Sequence, residues 1–183
     1  MLVDGDGRAL LLRGGDPARP GLRWWFTPGG GLDEGETPAE GAARELFEET
    51  GLRVDPSELG APVWHQVTEF SYDGRDYRQD QEFFLLRVPS WEVDTAGFDP
   101  EEQRTIDGHR WWSAAELDET GETVYPEELA SLLRRLTGVS SPSSAASPPS
   151  SAASPPSSAA ASPPSSAAAS PSSSAAASRG SGC

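Results

Sequence analysis

The sequence predicts an α/β or α+β fold in which helices cover a mixed sheet. Strand-like and helical segments alternate along residues 1–138, and two capping boxes, Thr37-Pro38-Ala39-Glu40 and Ser113-Ala114-Ala115-Glu116, mark helix starts between strands. Residues 139–183 are nearly all serine, alanine and proline, with no aromatic side chain to build a core. We therefore expect one domain at 1–138, followed by a low-complexity, disordered tail at 139–183.

The first half of the domain is expected to contain three strands and one helix. Leu2-Val3 and Ala9–Leu12 flank a Gly/Asp turn, and Leu22–Phe26 is a short aromatic strand. Thr37 to Thr50 is predicted to be helical, since Thr37 can act as the N-cap and Gly51 can end the helix in the left-handed conformation. The first strand is so short that we expect a truncated strand and a weakened or exposed position in the sheet.

The second half is expected to contain a hairpin, a further strand and a closing helix. Val63–Tyr72 and Tyr77–Val88 are strand-like, and Asp73-Gly74 between them is a strong hairpin signal. His109–Trp112 is predicted as a strand. Pro126–Leu136 is predicted as a helix because its leucines recur on one stripe.

Composition excludes several classes of function. The net charge of −15 disfavours duplex nucleic acid and anionic membranes, which are bound through basic patches. All fourteen basic residues are arginine, so lysine-dependent chemistry is excluded, and the single cysteine, Cys183, excludes an internal disulfide. No apolar run approaches the roughly 20 residues of a membrane span, and the N-terminus does not resemble a signal peptide. We expect no membrane partner and a cytoplasmic location.

Three carboxylates fall on one face of the predicted 37–50 helix. Glu45, Glu48 and Glu49 stand at i, i+3 and i+4, a spacing that suits a site for a hard divalent cation such as Mg²⁺ or Mn²⁺. A solvated helix face would show the same spacing, and the triple alone does not separate the two interpretations. The surroundings favour a site: Gly29–Gly31 provides backbone that can approach a phosphate, and Arg44 can fix a carboxylate rotamer.

These residues resemble the Nudix hydrolase family. Gly30, five residues, Glu36, seven residues, and then Arg44-Glu45-Leu46-Phe47-Glu48-Glu49-Thr50-Gly51-Leu52 meet every fixed position of the 23-residue Nudix box, from Gly30 to Leu52. Nine specified positions at fixed spacing, seven of them a single residue type, make a chance match very improbable. Trp25-x-x-Pro28-Gly29-Gly30 also resembles the usual lead-in to the box.

The resemblance implies an α/β/α sandwich around a mixed sheet and a metal-dependent pyrophosphohydrolase. Its substrates would be nucleoside diphosphates linked to another moiety. By the same carry-over, Glu45, Glu48 and Glu49 would ligate Mg²⁺ or Mn²⁺ and act with Arg44 in catalysis, while Gly29, Gly30 and Gly31 would bind substrate. A domain that binds a nucleotide without hydrolysing it is the alternative, and a homodimer is a further expectation.

The contacts to the rest of the substrate are less constrained. Arg23 is our candidate for a phosphate contact, and several aromatic residues could stack on a base, although each is more often a core residue: Trp24, Trp25, Trp64 and Tyr72. The general base could be Glu48 or Glu49. It could also come from a loop before the 109–112 strand, which carries the acids Glu101, Glu102 and Asp107.

Overall fold

The computed structural model describes residues 1–138 of the 183-residue chain. The predicted disordered tail at 139–183, with Cys183, lies outside the described residues. No described helix is long and apolar enough to cross a membrane.

A mixed sheet of six strands forms the centre of the domain. Its strands are β1 (Leu2–Val3), β2 (Ala9–Gly15), β3 (Arg23–Phe26), β6 (Leu86–Arg87), β7 (Gly108–Trp112) and β8 (Val124–Tyr125). The main path runs β6-β1-β2-β3-β8, and β7 also pairs with β2. The β1–β6 and β3–β8 pairs are parallel, and the others are antiparallel.

Four helices accompany the sheet: α1 (Pro38–Thr50), α2 (Glu102–Thr105), α3 (Ala114–Glu119) and α4 (Leu129–Thr137). The predicted capping boxes are confirmed, because the side chains of Thr37 and Ser113 accept from the backbone N–H groups of Glu40 and Glu116. Gly51 ends α1 with φ 72°, as predicted. The predicted closing helix starts later than expected, at Leu129.

Helices cover both faces of the sheet. On one face, Leu46 of α1 packs with the buried strand residues Leu2 and Leu10. On the other face, Leu129 of α4 packs with Leu11 and two tryptophans, and Leu133 packs with β1 and β2. The predicted α/β/α sandwich with a mixed sheet is confirmed.

The sheet differs from expectation at β1, which lies between β6 and β2. Leu2 and Val3 have no exposed surface and pair with β2 on one side and β6 on the other. The strand is short, as predicted, but the expected exposed position is not seen there. Pairing on both sides and cover from both helix layers bury it.

A second sheet stands apart from the first as a two-stranded hairpin of β4 (Trp64–Tyr72) and β5 (Arg75–Phe83). Its turn has positive φ at both central residues, 46° at Asp73 and 72° at Gly74, as the sequence signal required. The predicted single strand 77–88 was wrong in extent. The chain leaves the hairpin through the buried Phe84 and then joins the main sheet as β6.

Candidate active site

Helix α1 places its three predicted carboxylates in different environments. Glu45 and Glu49 are 6% and 0% exposed, whereas the side chain of Glu48 is 41% exposed. The predicted single acidic face therefore divides into two buried acids and one at the rim. Burying a carboxylate costs solvation free energy, and ionisable groups buried in spite of this cost are typical of functional sites.

Glu49 connects the helix to the glycine segment before it. One carboxylate oxygen accepts the Gly29 N–H at 2.6 Å, and the other, Oε1, is buried without a hydrogen-bond partner. Burial raises the pKa of Glu49 well above its usual range, and the nearby charges of Glu45 and Glu102 raise it further. A buried carboxylate oxygen that accepts no hydrogen bond from the protein has the chemistry of a metal ligand.

A third buried carboxylate comes from outside the box. Glu102, at the start of α2, is 5% exposed, and its carboxylate lies with those of Glu45 and Glu49 so that one oxygen of each is within 4.8 Å of the others. Asp99 and Glu102 make a reciprocal pair of hydrogen bonds. The Asp99 N–H donates to Glu102 Oε2 at 2.8 Å, and the Glu102 backbone N–H donates to Asp99 Oδ1 at 2.7 Å.

The other two loop acids point to different partners. Asp107 accepts hydrogen bonds from Arg13 at 2.6 Å and Arg23 at 3.2 Å, and Glu101 accepts from the Tyr72 hydroxyl at 3.1 Å. The sequence offered three equivalent candidates, and tertiary packing brings only Glu102 to the cluster among them. No local signal distinguishes it from its neighbour Glu101.

Arg44 crosslinks the box. Its Nε and Nη2 donate to the two oxygens of Glu36, both at 2.9 Å, and Nη1 donates to Glu45 at 2.8 Å and to Glu48 at 3.1 Å. Nη2 also donates to the Gly31 carbonyl at 2.8 Å. The hydrogen bonds to these carboxylates, above all the one to Glu36, raise the pKa of Arg44, so its positive charge is permanent. The guanidinium fixes three carboxylates and the glycine segment in one arrangement.

The cluster suits a divalent cation better than it suits an empty core. Desolvation raises the pKa of Glu45 to about 7, against the opposing hydrogen bond from Arg44. Three buried carboxylates held near one another repel, and a hard cation with oxygen ligands relieves both the repulsion and the orphaned oxygen. The donor set therefore fits a hard divalent cation. The metal roles expected for Glu45, Glu48 and Glu49, and the choice of Mg²⁺ or Mn²⁺, stay predictions.

A cleft of about 610 Å³ is connected to this cluster through Gly29, which lines the cleft and donates its N–H to Glu49; the three carboxylates themselves are not among the lining residues. Its walls are the glycine segment Gly29–Gly31, the hairpin β4–β5 and the segment Tyr125–Glu128. Arg23 is not among the residues that line it, and pairs with Asp107 at the start of β3 instead. Its predicted substrate contact stays a prediction. Trp24 and Trp25 are core residues, 4% and 6% exposed.

The family model of the NUDIX domain matches residues 1–135. The chain belongs to the Nudix family. In this Nudix domain, the box runs from Gly30 through α1 to Leu52, just past the left-handed Gly51. The box supplies Glu45 and Glu49 of the cluster and the network around Arg44, and Glu102 joins from outside it.

Curated Nudix relatives include RNA pyrophosphohydrolases. The chain is 34% identical over 112 residues to that of Erythrobacter litoralis, covering 56% of this chain and 65% of that protein. It is 30% identical over 129 residues to that of Roseobacter denitrificans, covering 65% and 76%. A MutT-like protein of Streptomyces ambofaciens is 46% identical over 59 residues, which cover 32% of this chain and 35% of that protein. Among these three, two are matched over less than two thirds of their own length.

Solved structures agree on the Nudix fold. The MutT protein of Methanosarcina mazei has a TM-score of 0.50 at 19% identity, covering 75% of this chain and 88% of that one. The dihydroneopterin triphosphate pyrophosphohydrolase of E. coli has a TM-score of 0.50 at 19% identity, covering 73% and 88%. At this identity the likeness establishes the fold alone.

Proposed function

We propose that this Nudix domain hydrolyses the pyrophosphate bond of a nucleoside diphosphate linked to another moiety, and that it requires Mg²⁺ or Mn²⁺. The buried cluster of Glu45, Glu49 and Glu102, which Glu49 joins to the N–H of Gly29 in the glycine segment that lines the cleft, carries the proposal. An acidic protein can hold an anionic pyrophosphate against carboxylates only with a cation between them.

The cation ligands are the three buried glutamates, with Glu48 contributing from the rim. When bound, the cation supplies charge neutralisation of the phosphate oxygens and lowers the pKa of a water molecule. Arg44 keeps Glu45 and Glu48 in their rotamers through its two Nη1 bonds, so the ligand set is held before substrate arrives.

The chain's own groups orient the reacting atoms. Backbone of Gly29–Gly31, free of side chains, lies against the cleft and lets phosphate oxygens come close. Water oxygen bonds to phosphorus, the bond from phosphorus to the bridging oxygen breaks, and a water proton passes to a carboxylate of the cluster. Glu48, which water reaches, and Glu102, which comes from a separate loop, are the two members to test as that acceptor.

The relatives' names extend the range of substrates to be tested. Because several curated relatives are named RNA pyrophosphohydrolase, the panel should include RNA with a 5′-triphosphate, where an RNA chain carries a phosphoanhydride bond. Nucleotide sugars, ADP-ribose, dinucleoside polyphosphates and nucleoside triphosphates complete it.

The experiment measures phosphate or nucleotide release from each substrate with Mg²⁺, with Mn²⁺ and after chelation, together with calorimetric metal affinity. We expect turnover only with a divalent cation. Glu49→Gln should lose both metal affinity and turnover. A variant at the proton acceptor, Glu48→Gln or Glu102→Gln, should lower turnover at saturating cation by far more than its loss of metal affinity explains, since it removes a proton acceptor as well as a ligand. A folded wild-type protein that binds nucleotide and releases no product would instead identify a nucleotide-binding module.

A further inference from the structure

A row of side-chain amides on the hairpin lines the same cleft as the glycine segment. Gln66 of β4 faces Gln81 of β5 in register, and Gln79 stands two residues before Gln81 on the same face of the hairpin. The Gln66 amide donates to Gln81 Oε1 at 2.7 Å, and the Gln81 amide donates to Gln79 Oε1 at 2.8 Å. We name these three residues the amide row.

The amide row has hydrogen-bonding capacity left over. Three carboxamides carry six N–H groups and three carbonyl oxygens, and the two bonds within the row use two N–H groups and one lone pair on each of two oxygens. All three side chains are half-buried and line the cleft. Each bond within the row fixes the rotamer of its neighbour, so donors and acceptors are already positioned for a neutral polar ligand.

Charge assigns the two ends of the cleft to different parts of a nucleotide. Beyond the glycine segment, the 125–128 segment adds two exposed acids to the lining, Glu127 and Glu128. Arg78, Asp80 and Glu82 also touch the cleft, but they stand at the outward, exposed positions of β5. This excess of negative charge repels phosphate and favours groups that donate hydrogen bonds. Phosphates therefore belong at the glycine segment and the glutamate cluster, and the neutral end of the molecule belongs at the hairpin.

We propose that the amide row recognises the base of the nucleotide and favours bases with an exocyclic amino group, namely adenine, guanine and cytosine. The amino group donates to amide or carboxylate oxygen, and the ring nitrogen or carbonyl beside it accepts from a free amide N–H. Uracil has no exocyclic amino group to offer. The inference deepens the proposed function, on which it rests for the class of ligand.

Binding of nucleoside monophosphates tests the inference separately from hydrolysis, since these contain no anhydride bond. The ligands are AMP, GMP, CMP and UMP with Mg²⁺, and ribose 5-phosphate serves as the ligand without a base. The variants are Gln81→Met, which removes both bonds of the row at nearly constant length, and Gln66→Met and Gln79→Met at its ends. Glu69→Gln, on the outward face of β4 with a side chain 77% exposed, is the matched control. Circular dichroism checks that each variant folds.

We expect wild type to bind at least one amino-bearing nucleotide about tenfold more tightly than ribose 5-phosphate, with UMP the weakest nucleotide. Gln81→Met should remove most of this difference in affinity and leave the affinity for ribose 5-phosphate unchanged. Each end variant should remove part of it, and Glu69→Gln none. If Gln81→Met does not fold, the end variants decide.

Three results would overturn the base recognition: nucleotides no tighter than ribose 5-phosphate, amide variants that bind like wild type, or equal losses for nucleotides and ribose 5-phosphate. UMP as the tightest ligand would overturn the preference for an amino group. If the binding pattern holds and no substrate is cleaved, the proposed hydrolysis fails and the recognition stands. If the protein hydrolyses its substrates whatever their base and binds the monophosphates without selectivity, the proposed hydrolysis stands and the base recognition fails.

Discussion

Helix α1 and the hairpin β4–β5 both carry acids and arginines, yet their charges have different consequences. On α1, Arg44 joins Glu36, Glu45 and Glu48 in one network beside a fully buried Glu49. On the hairpin, Arg78 and Glu69 lie 3.7 Å apart with side chains 68% and 77% exposed. Water screens the second pair, and burial concentrates the field of the first.

The difference follows from what each element packs against. One face of α1 lies on the main sheet, so glutamates at its edge lose water when Leu46 docks. The hairpin is a separate sheet of two strands, and its outward residues alternate with those facing the cleft. The same residue types therefore build a buried charged cluster in one region and a solvated surface with a polar inner wall in the other. Substitutions matched across the two regions test this comparison.

The largest effect is expected from Glu49→Gln set against Glu69→Gln. Loss of the buried carboxylate should reduce turnover on the order of a thousandfold, since it removes a cation ligand, while the exposed change should leave turnover within about twofold. Steady-state kinetics on the best substrate of the panel measure both. Equal, small effects would show that burial of Glu49 has no catalytic meaning.

Arg44→Met and Arg78→Met should differ next most, in stability. Arg44→Met removes the guanidinium that neutralises Glu36 and Glu45 and should cost about 3 kcal/mol of unfolding free energy. Arg78→Met should change the unfolding free energy by less than about 0.5 kcal/mol. Urea denaturation of metal-free protein gives both values. A comparable loss for Arg78→Met would contradict the view that the hairpin charges are screened.

Two glycines extend the comparison to packing. A Cβ on Gly97 would meet the backbone of α1, 2.9 Å from the Cα of Glu48, while Gly74 at the hairpin turn has open space and φ +72°. Gly97→Ala should cost about 2 kcal/mol and lower turnover by displacing α1, and Gly74→Ala about 1 kcal/mol through strain alone. Thermal melts with kinetics separate them: unchanged turnover in Gly97→Ala would exclude the displacement.

The smallest effect concerns pH. Burial raises the pKa of Glu45 to about 7 in the folded state, above its value of 4.5 in the unfolded chain. The folded state then holds the extra proton, so the contribution of Glu45 to the stability of metal-free protein is fully present below about pH 4.5 and is lost as pH rises towards 7, by up to about 1 kcal/mol between pH 5 and 6. Glu49, whose pKa burial also raises, adds a loss in the same direction. The range stops at pH 6 because burial lowers the pKa of the Met1 amino group to about 6, and that group acts in the opposite sense above it.

Thermal denaturation at pH 5 and 6 in the presence of chelator checks this fall, with Glu45→Gln as the control that should reduce it. Added Mg²⁺ should restore stability at pH 6 more than at pH 5, since the cation binds the ionised carboxylate. Stability that rises from pH 5 to 6 in wild type would contradict the burial of an ionisable Glu45.

Much of the local structure was predictable because its causes lie within a few residues. Thr37 and Glu40 set the start of α1, Gly51 its end, and Asp73-Gly74 the hairpin turn. These signals act through caps and turn conformations that neighbouring residues determine. The failures were at places where the chain changes partner, as where the predicted strand 77–88 leaves the hairpin at Phe84 to pair elsewhere as β6.

The sequence by itself determined the family, the helix that carries the box and the residue types of the site. Only the tertiary structure decided that Glu102, and not Glu101 or Asp107, joins Glu45 and Glu49, and that Gln66, Gln79 and Gln81 line the wall of the cleft. A motif of 23 residues fixes contacts within one helix and its loop. Glu102 lies more than fifty positions along the chain from Glu45 and Glu49. Packing of the whole chain brings the three carboxylates together.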